Sequence, residues 1–206
     1  MKKFNFIIAS LIVAVGFAAC SKDDTEYYEY EKFLALEATP IEEYADSVAN
    51  VMGKEAVWDS TGIWYIVEEE GLQDSTVEGY YKYNINNAGN IEVPRVSANY
   101  TGKLIYTNSV FAQSAKLQDE SLARLISAWQ LAFLPKFIED KKGEMQRNNI
   151  SLGILELGLQ KGSKVRIFVP SPYGYANSTQ PNIPANSPLD FAIEVLEVKP
   201  PAAPNN

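Results

Sequence analysis

Residues 158–199 read GLQKGSKVRIFVPSPYGYANSTQPNIPANSPLDFAIEVLEVK, and the rest of the chain is organised around them. Lys164–Val169 is a β-rich run, and within it Val165–Val169 is apolar nearly throughout, which suits a strand buried on much of both faces. In Phe191–Val198 the apolar Phe, Ile and Val alternate with Ala, Glu and Leu, the period of a strand with one buried face. Between the two runs, Pro170, Pro172, Pro181, Pro184 and Pro188 forbid regular structure. The loop nevertheless carries Tyr173, Tyr175 and Ile183, so it folds over something apolar.

Working outward, Gly62–Val67 and Tyr80–Ile85 read as strands, and Asn86–Asn90 as a turn of Asn and Gly. Val93–Ile105 is a longer strand with Val96, Ala98 and Tyr100 inward. A turn at Thr107-Asn108-Ser109 leads to Phe111. Leu122–Phe133 has helical periodicity. Nearer the start, Thr39-Pro40-Ile41-Glu42 has the form of a capping box with proline in the first turn. Ile41, Tyr44, Ala45, Val48, Val51 and Met52 follow at helical spacing, and Gly53 is a natural stop. These signs predict an amphipathic helix over Pro40–Met52 whose stripe buries against the following domain. Tyr27–Leu36 reads either as a short helix or as irregular chain.

Composition narrows the chemistry. The chain has 206 residues, a net charge of −8, no histidine and one cysteine. An acidic chain has no cationic face for phosphates, so nucleic acid is not an expected partner. Without histidine there is no Ser-His-Asp or Cys-His nucleophile and no His-built metal site. No cofactor and no metal are expected. A single cysteine makes no intrachain disulfide. The 12 Tyr and 9 Phe supply rings for a core and for a pocket.

Met1–Ala19 has the form of a secretion signal: Lys2 and Lys3, then an apolar run too short for a comfortable membrane span. Ala18-Ala19-Cys20 resembles a lipoprotein processing site, with Cys20 the lipidated first residue. An ordinary signal peptide with a chance cysteine is the other reading. Ser21–Glu26 reads equally as a surface-export signal or as a solvated tether.

The motif order in 158–199 resembles the C-terminal signature of FKBP-type peptidyl-prolyl isomerases, in a lipoprotein form of Gram-negative bacteria. The matching residues are Val169-Pro170, Tyr173-Gly174, Ile183-Pro184 and Leu189–Leu196. Tyr100-Thr101-Gly102, Phe111, and Leu125-Ile126 with Trp129 extend the resemblance upstream. Ala112 stands where the family has an aspartate that bonds a pocket tyrosine. The stretch between Trp129 and Gly162 is longer than the family's, which implies an insertion over about 134–157, a loop near the pocket rim.

The resemblance implies an α+β fold, a curved antiparallel sheet wrapped around a short helix, over residues 57–199. Ahead of it come a signal peptide (1–19), an acidic tether (20–38) and a helical extension (39–56). A disordered tail (200–206) follows. By the same resemblance Trp129 is a pocket floor, with Tyr100, Phe111 and Phe191 as walls and Ile183 at the rim. Leu125 and Ile126 border the entrance, the Ile126 N–H holds a substrate carbonyl, and Tyr173 offers a hydroxyl. The implied activity is cis-trans isomerisation of prolyl bonds in exported proteins, from the cell envelope through a lipid anchor. A catalytically weak peptide-binding lipoprotein, and a surface lipoprotein with a structural role, are the alternatives.

Overall fold

The computed structural model describes residues 28–86, 90–139, 145–147 and 153–202. The expected signal peptide, Cys20 and the acidic run lie outside the described residues. Among the described residues, no helix is long and apolar enough to cross a membrane.

Six strands form one antiparallel sheet: β1 (Val57–Trp58), β2 (Trp64–Glu69), β3 (Arg95–Leu104), β4 (Val110–Ser121), β7 (Lys164–Val169) and β8 (Leu189–Lys199). Their spatial order is β1-β2-β7-β8-β3-β4. The two runs that flank the proline-rich loop are thus neighbours at the centre, paired from Lys164↔Glu194 to Val169↔Leu189. A two-stranded ribbon, β5 (Phe137–Glu139) and β6 (Met145–Arg147), stands apart. The helices are α1 (Tyr30–Met52) and α2 (Ser127–Phe133).

The apolar character of Lys164–Val169 follows from helices on both faces of the sheet. Val165, Ile167 and Val169 share one cluster with Trp129, Phe133, Phe191 and Ile193, under α2. Phe168 and Ile66 point the other way, against Ile41, Ala45 and Ala49 of α1. The predicted amphipathic stripe therefore buries within the same chain, except for Val51, which is exposed. Gly53 ends the helix in the left-handed conformation, φ +63°, and its N–H bonds back to Asn50.

Three expectations need correction. Helix α1 begins at Tyr30, so Thr39 is not its cap, Pro40 lies inside it, and part of the expected tether is helical. Proline removes one intrahelical bond. Burial at four-residue spacing of Glu37, Ile41, Ala45 and Ala49 outweighs that loss. Tyr80–Ile85 forms no strand beyond a single bridge, Ile85 to Ile91. A side chain replaces the neighbouring strand there: the Tyr81 N–H donates to Gln160 Oε1 at 2.9 Å, and Gln160 Nε2 donates to the Tyr81 carbonyl at 3.0 Å. Leu122–Phe133 is not one helix. A 3-10 turn, Leu122–Arg124, and an extended pair, Leu125-Ile126, precede α2.

Strand β4 forms one edge of the sheet. Its pairing with β3 slips at three places, between Val96 and Ala98, Tyr100 and Gly102, and Gly102 and Lys103. Ser114 and Asp119 within it have positive φ. The opposite edge, β1, is two residues long.

Candidate active site

The extended pair before α2 turns Leu125 and Ile126 toward a cavity that the helix and sheet enclose. The cavity has a volume of about 160 Å³ and is lined by Tyr100, Leu117, Arg124, Leu125, Ile126, Trp129, Tyr175 and Phe191. A cavity of roughly 150 Å³ accepts a ring the size of benzene. The room is therefore that of one cyclic side chain.

Each wall has a local cause. Tyr100 and Phe191 come from adjacent strands, β3 and β8, where inward positions alternate. Trp129 projects from the first turn of α2, and its N–H donates to the Ile126 carbonyl at 3.0 Å. Gln130 Nε2 holds the Leu125 carbonyl at 2.8 Å. Among the described residues no group accepts the N–H of Ile126, which leaves a donor beside the cavity.

The rings meet edge to face. Tyr100 lies 5.2 Å from Trp129 at 84°, and Trp129 lies 5.7 Å from Phe191 at 85°. Phe111 stands behind Phe191 at 5.6 Å and 80°. Such pairs contribute about 0.5–1.5 kcal/mol each beyond area burial. They hold the walls rigid. The Tyr175 hydroxyl is pushed up from its ordinary range, first by burial and then by the neighbouring Tyr100 phenol. It stays a neutral donor.

The structure thus brings together Tyr100, Leu125, Ile126, Trp129 and Phe191 of the expected set. Phe111 backs the wall, and Ile183 is buried in the core at 5 % exposure. Tyr173 is elsewhere: its ring sits edge-on against Tyr30 of α1 at 5.6 Å. The loop tyrosine in the cavity is Tyr175, two residues on and beyond the 3-10 turn Ser171–Tyr173. Sequence reading found both tyrosines and expected Tyr173 at the cavity, where the structure has Tyr175. It missed Leu117 because β4 went unread, and Arg124 because the turn was folded into a helix.

No carboxylate lines the cavity. Ala112 pairs with Gly102 across β3 and β4, so Tyr100 has no acidic partner there. The inserted segment leaves the C-terminal end of α2, whereas Leu125 and Ile126 flank its N-terminal end. None of its described residues reaches the cavity, so those residues form no part of the rim. A larger hollow, about 410 Å³, opens where Glu68, Lys116, Lys164 and Glu194 gather. It is shallow and charged, and Lys164 is engaged by Glu69 and lies 4.0 Å from Glu194. Tyr100, Ala192 and Ile193 line it beside these charges. No group of three or more metal-ligating side chains occurs among the described residues.

Residues 144–196 match the model for FKBP-type peptidyl-prolyl cis-trans isomerase. FK506-binding protein 4 of Candida glabrata is 43 % identical over 42 residues, 20 % of this chain and 11 % of that protein. A peptidyl-prolyl cis-trans isomerase of Saccharomyces cerevisiae is 40 % identical over 42 residues, covering 20 % and 10 %. The chain thus spans about a tenth of the length of these curated relatives. The crystal structure of FkpA from Escherichia coli superposes with a TM-score of 0.48 at 24 % identity, over 83 % of this chain and 63 % of that one. Residues 144–196 are thus similar to the FKBP-type peptidyl-prolyl cis-trans isomerases, a match that takes in the central strand β7, most of its neighbour β8 and the proline-rich loop between them.

Proposed function

We propose that the chain is an FKBP-type prolyl isomerase that acts on exported polypeptides and is held at the cell envelope by lipid on Cys20.

 The observation that carries this reading is the aromatic cavity of about 160 Å³ with the open Ile126 N–H beside it. Prolyl bonds turn over in tens of seconds or longer unaided, against a barrier of roughly 18–20 kcal/mol. Rotation breaks the amide conjugation that makes the planar bond polar, so a dry apolar cavity disfavours the planar form relative to the twisted one. Only interactions stronger in the twisted state accelerate the step. The chemistry needs a ring-sized seat and a donor for the flanking carbonyl. Trp129, Tyr100, Phe191 and Tyr175 supply the seat, and Ile126 supplies the donor.

A second reading is a peptide-binding module with weak or absent turnover, and Ala112 favours it. The test is prolyl exchange on a tetrapeptide with one X-Pro bond, followed by NMR without a coupled protease. The full chain is compared with its Trp129→Ala, Tyr175→Phe and Tyr173→Phe variants. The expected result is faster exchange that Trp129→Ala reduces at least about tenfold, the scale set by losing a buried aromatic. Tyr175→Phe weakens it, and Tyr173→Phe leaves it nearly unchanged. Broadened peptide resonances without faster exchange would select the binding module. No effect of any kind would remove both readings.

A further inference from the structure

Glu37 is a carboxylate at 1 % exposure in an extension that lies outside the matched domain, and the isomerase chemistry does not use it. It does not cap its own helix. Its Oε2 accepts the backbone N–H of Ser171 at 2.6 Å, and its Oε1 accepts the Ser171 hydroxyl at 2.6 Å. With that hydroxyl donating to Glu37, the Tyr28 hydroxyl donates to Ser171 Oγ at 3.0 Å. Ser171 opens the 3-10 turn of the proline-rich loop, and its carbonyl accepts the N–H groups of Gly174 and Ala176. Those two residues flank Tyr175, the cavity wall. Tyr30, about two turns before Glu37 on the same face of α1, braces the same turn through Tyr173.

A second tie runs from the same helix to another wall. The Tyr44 hydroxyl donates to Asp190 Oδ2 at 3.0 Å, and Arg166 grips Asp190 through Nε at 2.7 Å and Nη2 at 2.5 Å. Asp190 is buried at 2 % exposure and immediately precedes Phe191. Helix α1 therefore fixes the backbone at both the loop and the strand that furnish cavity rings. Burying a carboxylate is costly unless its oxygens are bonded. Cover alone would be served by an apolar residue at position 37, as it is at Ile41 and Ala45.

We propose that α1 is a positioning element of the aromatic cavity and that Glu37 is its positioning residue, holding loop 170–176 so that Tyr175 closes the wall. This rests on the cavity being the prolyl site. The test uses the full chain and its Glu37→Ala, Glu37→Gln and Ser171→Ala variants. Amide hydrogen exchange is read at Gly174 and Ala176 and, for comparison, across Lys164–Val169. Binding of the X-Pro tetrapeptide and its KM and kcat are measured in parallel.

In Glu37→Ala, exchange at Gly174 and Ala176 speeds up about tenfold or more, the scale of a lost bond to a charged group, with the strand amides unchanged. Peptide affinity falls and KM rises with little change in kcat, because a wall met in both ground and twisted states is uniform binding. Glu37→Gln retains one acceptor and recovers part of both effects. Ser171→Ala reproduces the loosening. Unchanged loop exchange in the variants would overturn the inference, and so would equal loosening of loop and strands. Should Glu37→Ala not fold, Glu37→Gln and Ser171→Ala decide on the same readings. A wild-type chain that neither turns over nor binds the peptide ends the isomerase reading, and the loop exchange then decides the positioning role by itself.

Discussion

Gly102 shows how tightly the aromatic wall is set. A Cβ there would come 2.3 Å from the Phe111 ring, and Phe111 in turn backs Phe191. Gly102→Ala is expected to destabilise the fold by about 1–3 kcal/mol, the range for overpacking, measured by urea unfolding. Much at this scale was legible in the sequence. Tyr100, Trp129 and Phe191 declare themselves by motif and meet in the cavity. The division of labour between Tyr173 and Tyr175 was not legible. Both lie in one proline-rich loop with no period, and what separates them is Tyr30, a residue far away in sequence that claims the first ring. Among the described residues the buried Asn186 Oδ1 has no hydrogen-bond partner.

Among the elements, β7 and β8 were the most readable, β4 went unread, and only the C-terminal half of α1 was legible. Period and composition located β7 and β8 because their burial is regular. The capping box at Thr39 was a sound local signal that long-range contacts overruled. Tyr28 and Tyr30 dock on the proline-rich loop and carry the helix back past Pro40. The carboxyl of Glu37 gives α1 a pH signature. Burial raises it above its ordinary value of 4.5, with the two bonds from Ser171 opposing. The folded chain therefore binds this proton more tightly than the unfolded one. Its contribution is fully present below the ordinary value and is lost as pH rises through the folded value. Tyr28 and Tyr106, which face Glu37, are raised from their ordinary range and stay neutral through that window. Urea unfolding of the wild type and Glu37→Gln at stepped pH is expected to show the wild type losing stability relative to the variant as pH rises above the ordinary value of 4.5.

Taken whole, the molecule is a sheet held between two helices, one that closes the cavity and one that aligns its walls. Its titration is correspondingly quiet. There is no histidine in the chain, and Tyr175 is shifted upward, away from neutrality. The rate of prolyl exchange is expected to stay flat between about pH 7 and 8.5, where neither ordinary carboxylates nor tyrosines change charge. A slope in that range would point to a group outside the cavity controlling the rate. Fold class was open to reading at this scale because strand periods and motif order agree. The covering of the sheet's second face was only half so, since a stripe on a helix announces burial and not its partner.

The slipped pairing along β4 has a wider consequence. An unpaired strand edge is a template on which another chain can add itself, and a flat one invites aggregation. Here the long edge is broken by three slips and by positive φ at Ser114 and Asp119, while the other edge is only two residues long. A protein whose proposed clients are unfolded chains thus gives them no rail to grow along. The contact proposed for them is instead the ring-sized hollow walled by Trp129.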